Sequence, residues 1–110
     1  MKIPFAKPLV NKKDIKHLNR AANSQWIAGG EYIQNFEEKL KKFLKINYVG
    51  VTASGSAAIK LAYLILGLKP GDELVVPGYG FLAAANIAQS FGLKVNFADV
   101  DPNTFCVNVD

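Results

Sequence analysis

The sequence has 110 residues, of which 50% are hydrophobic and 20% are charged, and its formal net charge is +4. This composition predicts one small folded domain and excludes a disordered tail or two domains. The lysines are spread along amphipathic segments without a basic stripe, so no nucleic-acid partner is expected. The start has no apolar signal core, no segment has the length of a membrane span, and Cys106 is the single cysteine. The sequence therefore predicts a cytoplasmic protein without a membrane partner.

The first half of the chain predicts two helices. Asn11 can cap a helix, with Asp14 three positions later completing a capping box, and this helix is expected to end near Ala22. The turn-rich stretch NSQWIAGGEY follows. From Glu31 onward, apolar residues recur at helical spacing and charged residues fill the opposite face, which indicates an amphipathic surface helix.

The second half of the chain alternates strands and helices with short connections. The predicted elements are a strand over 48–53, a Ser-Gly-Ser turn over 54–56, a nearly all-apolar helix over 57–66, a turn over 69–72, a strand over 73–76, a helix over 81–91 and a strand over 94–100. This order predicts an α/β fold with a parallel sheet. Three strands leave sheet edges exposed and one face poorly covered, so the predicted fold is incomplete.

The first candidate site is VTASGSAAIKL, in which a strand passes through Ser54-Gly55-Ser56 directly into a helix. This geometry directs unpaired N–H groups and the positive end of a helix dipole at one point, where phosphate would bind. In the alternative interpretation, Ser54 or Ser56 only caps the helix and Gly55 eases the turn. The dinucleotide-binding glycine pattern and the P-loop are both missing, which counts against a nucleotide site.

The second candidate site is VVPGYGFLAAAN, at the carboxyl end of the next predicted strand. Ligands of open α/β sheets bind at this edge, so Tyr79 or Phe81 can lie flat on a planar ring whose phosphate is held by the Ser-Gly-Ser turn. In the alternative interpretation, Phe81 is a core residue that begins a helix and Tyr79 lies on the surface.

Four other residues carry side chains that can act in catalysis or bind a metal. Lys60 is interpreted as a surface lysine of an apolar helix, and His17 has no Cys or carboxylate at catalytic spacing. Asp101 directly precedes Pro102, and Asp99 lies two residues before Asp101. This pattern favours a turn over a pair of metal-binding carboxylates. No metal site is predicted.

The motifs IPFAKP, QWIAGGEYIQNFEEKL, VTASGSAAIKLAYLILGLKPGDELVVPGYGFLAAANIA and FADVDPNTFCVN occur in this order. Together they resemble the opening of the DegT/DnrJ/EryC1/StrS aminotransferases, a fold-type-I pyridoxal-phosphate (PLP) family that makes amino sugars on nucleotide-sugar carriers. The resemblance spans essentially all of the chain. It implies the N-terminal segment and the start of the large PLP-binding domain over 1–110, within a three-layer α/β fold around a parallel sheet.

Site residues follow from the same resemblance. It implies that Gly55, Ser56 and Ala57 lie at the cofactor phosphate and that Phe81 stacks on the pyridine ring. It also implies an active-site loop and a supporting residue, namely Trp26, Gly29, Gly30 and Asn86. Gly80 stands where the family often has Thr or Ser, so a hydroxyl contact there is not expected, and Ser56 replaces a more frequent Thr.

The resemblance also implies an activity. The complete enzyme would transfer an amino group from glutamate to a nucleotide-linked keto sugar as a homodimer, using PLP. The lysine that forms a Schiff base with PLP, and the Asp that pairs with its ring nitrogen, are expected beyond Asp110, so the chain is expected to be an inactive fragment when alone. The alternatives are a PLP-dependent sugar dehydratase and a non-catalytic module that binds phosphate or another subunit.

Overall fold

A computed structural model describes residues 3–4 and 6–108 of the chain. Phe5 of the IPFAKP motif lies outside the described residues, as do both ends of the predicted 1–110 segment. The chain divides into two compact units, Met1–Gly50 and Val51–Asp110. None of the described helices is long and apolar enough to cross a membrane.

Helix α1, Lys12–Asn23, begins the first unit as predicted. Asn11 is its N-cap: the side-chain oxygen accepts hydrogen bonds from the backbone N–H groups of Lys13 and Asp14, at 2.8 and 3.2 Å. The Asp14 carboxylate accepts the N–H of Asn11 at 2.9 Å. These bonds satisfy N–H groups that no helical carbonyl can reach, so the capping box fixes where the helix starts.

Replacing Asn11 with Ala is expected to destabilise the chain by about 1 kcal/mol, because it removes the acceptor for two N–H groups. Asn19 lies inside α1 and is exposed. Its replacement with Ala is therefore expected to stabilise the helix slightly, since Ala has the higher helix propensity. Urea unfolding followed by far-ultraviolet circular dichroism measures both variants, and shifts of the same sign would contradict the capping role.

Helix α2, Glu31–Leu44, confirms the second predicted helix. Gly30 is its N-cap, and the helix ends at Lys45, whose backbone is left-handed with φ 56°. An ion pair of 2.7 Å joins Lys41 and Glu38 on the charged face. The hydrogen bond from Lys41, reinforced by its charge, lowers the pKa of the Glu38 carboxyl.

The second unit has the order α3 (Gly55–Ile65), β1 (Glu73–Pro77), α4 (Ala83–Ser90) and β2 (Lys94–Ala98). The two strands pair in parallel, with Glu73 opposite Lys94 and Pro77 opposite Ala98. A short helix thus links two parallel neighbours, which confirms the predicted α/β class.

The predicted first strand, over 48–53, is wrong for this structure, because no strand is assigned in that segment. The sheet of the described residues has two strands, β1 and β2. A strand is recognised by a ladder of hydrogen bonds to a neighbouring segment, and an apolar pattern alone does not establish one. The strand predicted to reach Val100 also ends earlier, at Ala98, and Val100 instead forms an antiparallel bridge with Val107.

The core of the second unit lies between the helices and one face of the sheet. Its buried centre is Tyr63, Ala88 and Leu93, against which Ile59, Leu68, Leu74, Ile87, Phe91 and Val95 pack. The Tyr63 ring meets Phe91 edge-on at 5.9 Å, and its hydroxyl donates to the carbonyl oxygen of Ala84 at 3.3 Å. Tyr63 therefore spans α4 from its last turn to its first.

The apolar side chains of helix α3 are more exposed to solvent than its composition predicts. Tyr63 is its one buried residue among those described, whereas Leu64, Ile65 and the following Leu66 are exposed. On the sheet, Val75 points away from the Leu74 and Val76 side and is also exposed. In the second unit, helix α4 packs against both strands of the sheet.

Candidate functional site

The Ser-Gly-Ser turn forms the beginning of α3. Ser54 is the N-cap, with extended backbone angles, and its hydroxyl oxygen accepts the N–H of Ala57 at 3.2 Å. The helix consequently starts at Gly55, two residues earlier than predicted. The capping interpretation of Ser54 is confirmed, and it occupies the N–H of Ala57.

The same cap leaves donors for an anion. Gly55 and Ser56 are the first two residues of α3, and helix geometry provides no carbonyl acceptor for N–H groups at these positions. Both residues are exposed, and a Cβ atom added at Gly55 would meet no atom within 4 Å. Two N–H groups, the Ser56 hydroxyl and the positive end of a helix dipole therefore adjoin open space, which suits a phosphate group.

Phe81 lies in the loop between β1 and α4. The helix begins at Ala83, after the Leu82 N-cap, so Phe81 precedes it rather than beginning it. The Phe81 side chain is 90% exposed, which contradicts the alternative of a core residue. Tyr79 is also exposed, but its ring contacts Phe105 at a centroid distance of 5.3 Å. Of the two candidate aromatics, Phe81 has the face available for a planar ligand.

A small hollow of about 90 Å³ lies beneath this loop. It is lined by the end of β1, the loop, the first turn of α4 and Phe97 of β2. Small-molecule pockets usually have a volume of roughly 300 Å³ or more. The hollow is therefore a recess under Phe81 rather than a ligand pocket, and no residue of the Ser54–Ala57 turn lines it.

The turn and Phe81 share one edge of the second unit. The segments that follow α3 and α4 meet at the opposite edge: the Gly71 N–H donates to the Gly92 carbonyl at 2.9 Å, and a Cβ at Gly92 would lie 3.1 Å from Pro70. Both helices therefore end beside the beginnings of β1 and β2. A helix that ends there has its N-terminus toward the opposite edge, where the strands end.

Asn86 lies in the first turns of α4, where its side chain is exposed and its N–H donates to the Leu82 carbonyl at 2.9 Å. It is on the helix whose N-terminus faces the strand-end edge. Its predicted supporting role stays a prediction.

The predicted active-site loop belongs to the first unit and surrounds Trp26. Gly29 and Gly30 both have positive φ, 70° and 77°. A Cβ at Gly30 would lie 2.5 Å from the Trp26 ring, whereas a Cβ at Gly29 would meet nothing within 4 Å. Trp26 thus lies against the backbone of Gly30, and the paired glycines are the one sequence feature that points to this contact.

The remaining candidate residues lie at the surface or in a turn. Lys60 and Cys106 are exposed, and no group of three or more His, Cys, Asp or Glu is placed to hold a metal ion among the described residues. His17 lines an open surface depression with α2 side chains and Arg20. Asp101 forms the predicted turn, accepting the N–H groups of Asn103 and Thr104.

Ligands of open α/β sheets bind outside the ends of the strands, which is where the loop that carries Phe81 follows β1. A sequence model described as the DegT/DnrJ/EryC1/StrS aminotransferase family matches residues 8–110. The chain therefore belongs to this family.

Named relatives agree with that membership. The chain is 31% identical to the GDP-perosamine synthase of Vibrio cholerae, over 98% of this chain and 30% of that protein. It is 40% identical to the 3-oxo-glucose-6-phosphate:glutamate aminotransferase of Bacillus subtilis, over 74% of this chain and 18% of that protein. The chain thus spans less than a third of the length of these curated relatives.

Solved structures have the same fold. The E. coli GDP-4-keto-6-deoxy-D-mannose-3-dehydratase with bound hydrated PLP superposes with a TM-score of 0.85 at 28% identity, over 97% of this chain and 29% of that chain. A sugar aminotransferase from Streptococcus pneumoniae in its PMP form also gives 0.85, at 25% identity, over 98% of this chain and 27% of that chain.

Proposed function

We propose that residues 1–110 supply the N-terminal segment and the start of the PLP-binding domain of a sugar aminotransferase. In this proposal the amino group passes from glutamate to a nucleotide-linked keto sugar. Family membership and the names of the relatives support it. The observation that carries it is the pair of N–H groups at Gly55 and Ser56, which face open space at the strand-end edge.

The residues of this edge fit PLP by their chemistry. The cofactor phosphate would accept hydrogen bonds from the N–H groups of Gly55 and Ser56 and from the Ser56 hydroxyl, with Ala57 beside it. Phe81 would lie on the ring and exclude water from one face, and Asn86 would support the site from α4. When bound, PLP supplies an electron sink through which an amino group is exchanged.

A phosphate-selective binding experiment tests the proposed cofactor site. The purified chain is titrated with pyridoxal phosphate and with pyridoxal, and bound ligand is measured by equilibrium dialysis. Pyridoxal phosphate is expected to bind at least about tenfold more tightly, a difference of ~1.4 kcal/mol or more, and inorganic phosphate is expected to compete. Equal affinity for the two ligands, or no competition by phosphate, would refute the site.

A sugar dehydratase is the second candidate, because a keto-sugar dehydratase is among the structural neighbours. The two reactions differ in product. Mass spectrometry of a nucleotide-linked keto sugar, incubated with glutamate and the enzyme that carries this chain, separates an aminated sugar from one that has lost an oxygen. An aminated product with equimolar 2-oxoglutarate supports the aminotransferase, and a deoxygenated sugar supports the dehydratase.

The proposal extends to assembly and location. The proposed location is the cytoplasm, and the proposed assembly is the homodimer that the resemblance to the family implies. The exposed apolar side chains on α3 and β1 are available for contacts with further protein surface. Size-exclusion chromatography with light scattering measures the assembly state.

A further inference from the structure

Phe105 has an unusual backbone conformation for its residue type. Its φ is 56°, in the left-handed region that favours glycine. Such a conformation in a bulky residue persists only where surrounding contacts fix it. Those contacts come from a turn over residues 101–106, here called the Asp101 turn.

The Asp101 turn is closed by both the backbone and the side chain of Asp101. Its carbonyl accepts the Phe105 N–H at 2.8 Å, and its own N–H donates to the Cys106 carbonyl at 2.9 Å. One carboxylate oxygen accepts the N–H groups of Asn103 and Thr104, at 2.7 and 2.9 Å. These donors, that of Thr104 first, lower the pKa of the Asp101 carboxyl, so the turn keeps its ionised acceptor at neutral pH.

The Asp101 turn determines where the Phe105 ring lies. It lies against the Tyr79 ring, with centroids 5.3 Å apart and planes tilted by 40°. Tyr79 is two residues before Phe81 in the loop over 78–81, here called the aromatic loop. The start of that loop is fixed separately, because the Gly78 N–H donates to the Ala98 carbonyl at 2.8 Å. Among the described contacts, the Phe105 ring is the side chain from outside the aromatic loop that packs on Tyr79 and holds the loop in place, and it is here called the brace.

We propose that Phe105 is a positioning residue: held by the Asp101 turn, its ring braces Tyr79 and so orients the aromatic loop that presents Phe81 to a planar ligand. This inference rests on the proposed function for the identity of that ligand. The brace itself is a property of the free chain and can be measured without any ligand.

Two variants separate the ring from the turn. Phe105→Gly removes the ring but suits the positive φ, so the Asp101 turn is kept. Phe105→Tyr keeps a ring of the same shape. Backbone order parameters from ¹⁵N relaxation are measured for residues 78–81 in the unliganded chain. They are expected to fall from about 0.85 toward 0.6 in Phe105→Gly and to stay unchanged in Phe105→Tyr. Unchanged order in Phe105→Gly would overturn the proposal, whether or not the chain binds PLP.

Ligand affinity gives the second readout. Phe105→Gly is expected to weaken pyridoxal phosphate binding roughly threefold to tenfold, the range of an aromatic contact, and to leave inorganic phosphate binding unchanged. A parallel loss for both ligands would indicate general damage and contradict a positioning role. If the parent chain bound neither ligand, the proposed function would fail, and the order parameters alone would decide on the brace.

A matched pair of variants tests the Asp101 turn. Asp101→Asn keeps a side-chain oxygen for the Asn103 and Thr104 N–H groups, whereas Asp101→Ala removes it. Order in the aromatic loop is expected to be retained in Asp101→Asn and reduced in Asp101→Ala. If order in the aromatic loop were retained in both variants, the Asp101 carboxylate would have no part in placing Phe105.

Discussion

Replacing Ser56 with Asp is expected to abolish most pyridoxal phosphate binding while leaving the folded chain as stable as before, or slightly more stable. Ser56 is the second residue of α3 and is exposed. An acidic side chain at that position interacts favourably with the helix dipole, by about 0.3–1 kcal/mol. The same carboxylate would lie where the ligand phosphate must sit.

The expected loss follows from charge repulsion. Two like charges about 4 Å apart repel by roughly 1 kcal/mol in water and about 4 kcal/mol at an effective dielectric constant near 20. At a partly exposed helix N-terminus, this corresponds to a loss of about tenfold to a hundredfold in affinity. Equilibrium dialysis gives the affinity, and thermal unfolding by circular dichroism gives the stability.

Ser90 provides the matched control, because it is an exposed serine at the C-terminal end of α4. Ser90→Asp makes the same chemical change at the edge of the unit opposite to the proposed site. It is expected to leave pyridoxal phosphate affinity unchanged and to lower stability slightly, since an anion is unfavourable at a helix C-terminus. If Ser56→Asp bound as tightly as the parent, the α3 N-terminus would not be the phosphate site.

The features that the sequence predicted correctly depend on contacts between near neighbours. Asn11 and Asp14 bond each other's backbone within one turn, and Ser54 caps α3 by bonding Ala57. Such bonds are determined by residue types two or three positions apart, so they can be inferred without the rest of the fold. The same holds for the turn at Lys69 and Asp72, which bond each other in both directions.

The strand predicted over 48–53 shows the limit of local inference. Its apolar, β-branched residues satisfy the composition of a buried strand, but a strand also needs a partner elsewhere in the chain. The structure assigns β1 and β2 because each is the other's neighbour in register from Glu73 and Lys94 onward. Pairing is a property of two segments, and an apolar pattern in one of them does not by itself determine it.

The candidate site likewise contains features that the sequence could predict and features that depend on distant contacts. The sequence placed the aromatic loop after a parallel strand, and this loop does follow β1, whereas it placed the Ser-Gly-Ser turn after a strand over 48–53 that the structure does not assign. It could not choose between Tyr79 and Phe81. The choice depends on Phe105, which is remote in sequence and contacts Tyr79 through a turn that gives no periodic signal. The roles of Gly55, Ser56, Ala57 and Phe81 at a cofactor are proposals, and the Ser56→Asp variant tests the phosphate site among them.

Replacing Gly30 with Ala is expected to displace Trp26 and to destabilise the first unit by about 2–3 kcal/mol, because backbone strain and a steric clash add. The backbone of Gly30 has φ 77° and ψ −161°, a region open essentially to glycine alone. The new methyl group would also lie 2.5 Å from the rigid indole ring of Trp26. Both the ring and the start of α2 must therefore move.

Gly29→Ala isolates the backbone contribution. Gly29 also has positive φ, 70°, but its added methyl group would meet no atom within 4 Å. This variant is expected to cost about 1 kcal/mol and to leave the indole in place. Because Trp26 is the single tryptophan of the chain, its fluorescence and near-ultraviolet circular dichroism report on this loop alone. A changed tryptophan signal in Gly30→Ala, and a native signal in Gly29→Ala, would establish that Gly30 is required for the placement of Trp26. A native signal in both variants would show that the clash is relieved without moving the ring.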